Sequence, residues 1–349
     1  MARHAMSDAE PLSAHVNGHV GQAWCRDIAK YKRSSLLRSS WQLTNSLSLF
    51  CGLWYLMYLS LAWSYLLTGV LAIPTAGLLV RLFIIQHDCG HYSFFSSRRA
   101  NDLLGTFCSF FTLTPYRLWR RSHSRHHASS GNLGHRGHGD VWTLTVDEYR
   151  SRSFWGKLQY RLYRHPLFLF LVGPSLLFGL RQRFTLGIPA TWRRERRSVH
   201  LTNVGIAAAV AVAWVSIGIT PFLLVHVPVV AIASSMGAWL FFIQHQFETA
   251  YWQPDDRWNF ARSACEGSSY YRLPVLLQWF TGNIGFHHIH HLESRIPNYN
   301  LPRCFADTPE LRHSVTIGLW ESVKCPRLKL WDEARQQLIT FREANCART

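Results

Sequence analysis

Two long stretches of the chain carry no Asp, Glu, Lys or Arg. Residues 39–80 form a gap of 42 positions between Arg38 and Arg81, and residues 198–247 form one of 50 between Arg197 and Glu248. As helix, the shorter gap would run roughly 63 Å, about twice the ~30 Å hydrocarbon core of a bilayer. Each gap is therefore expected to fold as two membrane spans joined by a tight turn. The spans fall near 43–66 and 69–86, with a turn at Thr68-Gly69, and near 201–219 and 222–245, with a turn at Gly218-Ile-Thr-Pro221. Two shorter apolar runs, 103–116 and 165–180, fall below the roughly 20 residues a span needs and are expected as interfacial or re-entrant helices. Leu328, Trp331, Leu338 and Phe341 lie near helical spacing, which predicts an amphipathic helix over 328–344. The expected fold class is an all-α integral membrane protein: four transmembrane helices as two hairpins, interfacial helices, and a cytoplasmic helical domain. Its expected divisions are a polar N-terminal segment (1–40), a membrane domain (41–335) and a C-terminal tail (336–349).

Charge sets the orientation. The chain has 37 Lys and Arg against 20 Asp and Glu, a formal net charge of +17, yet neither hairpin turn carries a Lys or Arg. By the positive-inside rule the turns face outward, and the termini and polar segments face the cytoplasm, in a bacterial inner membrane. Nucleic acid is the usual partner of so basic a chain, but here the basic residues flank apolar hairpins and suit anionic lipid headgroups; residues 26–38 read as a headgroup-binding segment or a disordered tail. The 8 cysteines show no C-x-x-C spacing and are expected to be reduced thiols. No signal peptide is expected from the polar N-terminus.

Candidate chemistry sits just past the span ends. Among 19 histidines, three clusters repeat one spacing: His87 and His91; His123, His126 and His127; His287, His290 and His291. Positions i, i+3 and i+4 share a helix face, so each cluster offers a row of imidazole nitrogens, the arrangement that holds a metal. His245 closes the fourth span and joins the set. Nine imidazoles are too many for one tetrahedral zinc but suit two metals with open positions, and a pair of irons activating dioxygen is the natural occupant. Zinc hydrolysis would need a carboxylate in H-E-x-x-H, which is absent. His135 and His138, in a Gly-rich loop, are weaker ligand candidates. An oxidising centre at a membrane surface selects long alkyl chains as substrate, held in an apolar tunnel so that positioning decides which carbon reacts.

The wording around the clusters narrows this further. His87-Asp-Cys-Gly-His-Tyr-Ser-Phe-Phe95, Leu113-Thr-Pro-Tyr116, Ser130-Gly-Asn-Leu133, Gln244-His-Gln-Phe-Glu248 and Thr281 through His291 to Tyr299 resemble the histidine boxes of the membrane fatty acid desaturase family, in its acyl-lipid Δ12 (ω-6) branch. The resemblance spans residues 40–335. It implies two Fe ions on His87, His91, His123, His126, His127, His245, His287, His290 and His291, dioxygen as co-substrate, and no catalytic residue beyond the metal centre. Asp88, Glu248 and Asn283 are expected to orient imidazole N–H groups, and His288, off the shared face, is expected close behind the ligands. Where some acyl-CoA relatives carry an Asn, this chain has Phe241. The expected reaction is O2-dependent insertion of a cis double bond into a lipid acyl chain, at Δ12 of an oleoyl chain. Hydroxylation or acetylenation on the same scaffold is the nearest alternative, and a non-catalytic metal-binding or lipid-sensing role the remote one. Without a haem motif or ferredoxin-like cysteine set, electrons are expected from a ferredoxin or similar small carrier.

Overall fold

The computed structural model describes residues 28–137 and 139–346. Residues 1–27 and His138 lie outside them. The first charge gap folds as an antiparallel pair, α1 (Leu36–Ser60) and α2 (Tyr65–Gly90). Ser35 starts α1, its hydroxyl accepting from the Arg38 N–H and so supplying one of the partners that a helix N-terminus lacks. The reversal occupies residues 61–64, a few positions before the expected Thr68-Gly69. Thr68 instead stays inside α2 because its hydroxyl reaches back to the Ser64 carbonyl (3.3 Å) and across to Ser60 Oγ (2.8 Å), which satisfies it without breaking the helix.

After α2 come α3 (Arg98–Thr112) and α4 (Tyr116–Ser129), separated by Leu113, whose φ of 55° is left-handed. Helix α5 (Phe154–Tyr163) leads into a helical run, Phe168–Arg183, bent from it by 60°. The second charge gap gives α6 (Arg193–Ile217) and α7 (Ile219–His245), hinged at Gly218 with φ 85°. This is the expected turn, and it needs the one residue without a Cβ to resist that conformation. Helices α2, α6 and α7 are each long and apolar enough to cross a bilayer. Helix α1 matches them in length but spends Gln42, Thr44, Asn45, Ser46 and Ser48 on its first half. On α6, Val204, Val212, Trp214 and Val215 are exposed, a face stable against lipid and costly against water.

The chain is mostly helical, as expected, and its polar part adds a few short strands. Strands β1 (Leu144–Thr145), β2 (Tyr270–Arg272), β3 (Thr316–Gly318), β4 (Leu330–Asp332) and β5 (Gln337–Ile339) make two small sheets, β1-β4-β5 and a parallel β2-β3 pair. The amphipathic helix expected over 328–344 is instead the β4–β5 hairpin followed by a helix at Phe341–Cys346. Trp331 pairs with Leu338 across that hairpin, and both are buried. The apolar spacing that suggested one helix face is thus met by two strands facing each other. Asp332 Oδ1 tightens the turn by accepting from the Ala334 and Arg335 N–H groups.

One side chain ties these parts together. Arg164, fully buried, donates to the carbonyls of Trp142 (3.0 Å) and Leu328 (2.9 Å), to Thr143 Oγ1 (3.2 Å) and to Gln246 Oε1 (2.9 Å). The residue after α7, the loop leading to β1 and the approach to β4 therefore share one guanidinium, which is why a buried charge is tolerated there.

Helix α2 is the axis of the core. It packs against α1, α3 and α7, and nearly every residue from Thr75 to Gly90 is buried. Helix α4 is seated on it through Tyr116, whose ring lies against Gly105 of α3 and whose hydroxyl donates to the Cys89 carbonyl (2.8 Å). A methyl group at residue 105 would meet the Tyr116 ring at 2.3 Å. Gly105→Ala should therefore destabilise the protein by about 1–3 kcal/mol, seen as a lowered melting temperature in detergent, whereas Gly52→Ala, inside α1 with open space at the same atom, should hold or raise it.

Candidate metal centre

Four helical segments end at one place. His87 lies on the last turn of α2 and His91 caps it; His123, His126 and His127 lie on α4; His245 is the last residue of α7. A short helix, α8 (His287–Leu292), brings His287, His290 and His291. Side-chain amides hold these ends in register. Gln86 donates to the Thr114 carbonyl (2.9 Å) and accepts from Thr112 (2.6 Å), fixing α2 to the start of α4. Gln244 donates to the Ile284 carbonyl (3.0 Å), fixing α7 to the approach to α8. Gly285 lets that approach run close to strand β2, where a Cβ would meet the Tyr271 carbonyl at 2.4 Å.

The nine histidines fall into two groups. One nitrogen from each of His87, His91, His123, His127 and His290 lies within 4.8 Å of the others, and the same holds among His126, His245, His287 and His291. Adjacent residues on α4 divide between them: His126 and His127 point about 100° apart around the helix axis, so His126 serves the second group and His127 the first. Within the first group His123 Nε2 meets both His87 Nε2 (3.0 Å) and His127 Nε2 (3.1 Å), and His127 Nε2 also meets His290 Nε2 (3.0 Å). Within the second, His245 Nε2 lies 3.1 Å from His126 Nε2 and 3.0 Å from His287 Nε2. A neutral imidazole carries one N–H, so a run of Nε2–Nε2 contacts cannot be satisfied by hydrogen bonds alone. The His91 and His291 Nε2 atoms are buried with no hydrogen-bond partner. Lone pairs converging in this way fit a cation, and both groups fit a metal with imidazole as the ligand type.

Protonation supports the same fit. Burial, with neighbouring imidazoles adding to it, holds His91, His123, His127, His287, His290 and His291 well below the ordinary histidine range. These rings are neutral, as metal ligation requires.

Three contacts from behind fix ring orientation. His126 Nδ1 donates to Asp140 Oδ1 (2.6 Å), His245 Nδ1 to the Gly267 carbonyl (3.1 Å), and His87 Nδ1 to Asp88 Oδ1 (3.3 Å). Each leaves the Nε2 lone pair facing its group. Asp88 is itself held, its Oδ2 accepting from the backbone and side-chain N–H groups of Asn298 (2.7 and 2.8 Å). Of the residues expected in this role, Asp88 touches an imidazole. Asn283 acts one step back, donating to the Asn298 carbonyl (3.3 Å). Glu248 is exposed, and it is its carbonyl that matters, accepting from Leu338 (2.7 Å). His288 points away into a separate apolar cluster beside Tyr270 and Phe305, and burial pushes its pKa down to about 3. Asp140 and Gly267 were not singled out from the sequence. Asp140 closes the Gly-rich loop whose wording stood out, and that was the available signal; a backbone carbonyl leaves none. His135, exposed, pairs with Asp255 (3.4 Å) away from both groups.

The family model for fatty acid desaturases matches residues 61–320 of the chain. The protein belongs to the fatty acid desaturase family. This desaturase is 44% identical over 331 residues to a fatty acid desaturase of Bacillus subtilis, covering 95% of this chain and 94% of that one. More distant relatives are the sn-1 oleoyl-lipid 12-desaturase of Synechocystis sp., 26% identical over 72% of this chain and 69% of that one, and the chloroplastic omega-6 fatty acid desaturase of Arabidopsis thaliana, 25% identical over 71% of this chain and 52% of that one. The desaturase is thus an oxidoreductase with histidine clusters able to bind iron and with membrane-type helices.

The buried neutral imidazoles give the metal-free desaturase a pH dependence of definite sign. Folded-state values lie below the unfolded value of about 6.5, so the unfolded chain binds more protons as pH falls through that value, and stability present above it is lost below it. The melting temperature of metal-free desaturase should fall steadily from pH 7 to pH 5. A flat profile would show that these rings are not buried neutral.

Proposed function

We propose that the protein is a membrane-bound di-iron desaturase that inserts a cis double bond into an acyl chain esterified to membrane lipid, at Δ12 of an oleoyl chain. The observation that carries the proposal is the division of nine imidazoles into a group of five and a group of four, each with nitrogens converging on one point. In this reading His87, His91, His123, His127 and His290 hold one iron, and His126, His245, His287 and His291 hold the other. The relatives named as acyl-lipid and omega-6 desaturases support the substrate class and the position of the bond.

The net reaction takes two hydrogens from neighbouring methylenes and, with O2, two electrons and two protons, yields the alkene and two waters. When bound, the two irons supply an oxidant strong enough for an unactivated C–H bond. What the chain itself does is position and insulate. Asp140, Asp88 and the Gly267 carbonyl keep each Nδ1–H turned away from the centre. The indole of Trp119 stacks on His123 (4.6 Å between ring centroids) and sits 5.5 Å from His87, and Phe241 lies 5.2 Å from His126 and 5.3 Å from His245. These rings keep water from the imidazole edges. Electrons come from an external carrier; a relative in Synechocystis sp. is named an sn-1 acyl-lipid omega-3 desaturase (ferredoxin), which supports a ferredoxin-like donor. Four crossings, with α1 completing a pair with α2, would place both termini and the metal centre on the cytoplasmic side.

Expression in a host of defined lipid content, followed by mass spectrometry of its acyl chains, tests the reaction and its position together. A new double bond at C12 of oleoyl chains is expected, and a hydroxylated or acetylenic product would reassign the outcome. His123→Ala and His290→Ala should abolish the product with membrane insertion intact, while His313→Ala should not. Asp140→Asn should weaken iron retention about 10–100-fold, read as iron content after dialysis, without unfolding the protein. Tags at both termini should resist protease added outside intact cells, and one inserted at Gly218 should be cleaved.

A further inference from the structure

Two neighbouring cavities that share Arg38 in their walls lie beside the N-terminal end of α1, outside the metal centre. The outer, of about 570 Å³, is lined by the cations of Lys30, Arg33, Arg38 and Arg303 with a single carboxylate, Asp307. That carboxylate is already engaged, accepting from the Tyr31 hydroxyl (2.6 Å) and pairing with Arg303 (3.4 Å). The inner cavity, of about 380 Å³, shares Arg38 and continues along α1 past Trp41, Gln42 and Asn45 to Trp279.

The cradle is built rather than incidental. Asn300 donates to the Tyr31 and Arg33 carbonyls (2.9 and 3.2 Å) and accepts from Arg38 (3.2 Å), while the Tyr299 hydroxyl accepts from the Ser35 N–H (2.8 Å). Segment 30–35 is thereby pinned to residues 299–300, some 265 positions away in sequence, and four cations are held around one hollow. Beside it Leu36, Leu37, Trp41, Val275 and Leu276 are all exposed, an apolar rim of the kind that sits in a bilayer interface. The deep wall of the inner cavity is polar. Gln42 is 4% exposed with its Oε1 lacking a hydrogen-bond partner, and it donates to Asn298 (3.0 Å), the residue that holds Asp88 against His87.

We infer that this pair of cavities is a phospholipid site, the outer taking the phosphate and the inner the glycerol-ester region of the lipid. A phosphate monoanion matches a hollow with more cations than carboxylates. Ester carbonyls match N–H donors lining the inner cavity, the Asn45 amide and the Arg81 guanidinium, and the alkyl chain has Trp41 and Val275 to lie on. A soluble phosphate ligand would gain nothing from the exposed Leu36, Leu37 and Trp41. The site deepens the acyl-lipid reading by naming the headgroup, and rests on that reading only for the claim that the bound lipid is the one that reacts.

The test uses the full chain with its metals in mixed micelles. The substrates are oleoyl-phosphatidylglycerol, neutral oleoyl-diacylglycerol and oleoyl-CoA, and the variants are Arg33→Gln and Lys30→Gln/Arg33→Gln. The double variant should raise KM for the phospholipid roughly tenfold or more, leave its kcat unchanged, and leave KM for diacylglycerol unchanged, with Arg33→Lys restoring most of the loss. Native mass spectrometry should show phosphatidylglycerol bound to the wild type and lost from the double variant. Equal effects on both lipids, or phosphatidylglycerol retained by the variant, would overturn the site. So would displacement of the bound lipid by millimolar inorganic phosphate. Should only oleoyl-CoA turn over, the acyl-lipid reading fails while the binding comparison still decides whether the site exists.

Discussion

Everything in this molecule depends on keeping nine imidazole edges side by side. A protonated ring in either group would face several others at about 3 Å, so the groups persist only where water and acid are kept out. Burial supplies that condition, and the helix ends supply the geometry. For His87, His91 and His245, placement at the ends of long helices has a physical advantage: the span anchors the rotation of the helix, so the ring direction is set by a rigid body tens of ångströms long.

The supporting contacts are of two kinds. Asp140, Asp88 and the Gly267 carbonyl act on single rings, selecting the tautomer that turns Nε2 inward. Gln86, Gln244 and Arg164 act on whole segments, using amide and guanidinium groups to join one helix end to the next. Gln86 and Gln244 each immediately precede a ligand, His87 and His245, and Arg164 reaches Gln246, just after His245. Residues beside the histidines therefore tie the helix ends to their neighbours, and the histidines themselves face the centre.

The sequence made the site legible because its chemistry is local. Three clusters on i, i+3 and i+4 spacing can be read from any one helix, and charge gaps reveal apolar hairpins regardless of how they pack. The turn at Gly218 was legible for the same reason, since glycine answers a local backbone demand. Features set by distant partners were not. Thr68 looked like a turn residue until Ser60 and Ser64 satisfied its hydroxyl. Trp331 and Leu338 looked like one helix face, and it takes the β4–β5 pairing, extended by Leu144–Thr145 on the other side of β4, to explain why they lie in a sheet. Glu248, the acidic neighbour of a histidine in sequence, faces out, whereas Asp140, 14 residues from His126, makes the contact. The division of the nine rings into five and four was equally hidden, because it needs the relative placement of four segments.

That division makes two centres one mechanical object. Helix α4 contributes His123 and His127 to one group and His126 to the other; α8 contributes His290 to one and His287 and His291 to the other. Each is a rod with a foot in both sites, so the separation of the two sites is set by the width and twist of a helix turn and not by any loop. Tilting either rod would move ligands of both sites at once, so a change made at one is felt in the geometry of the other.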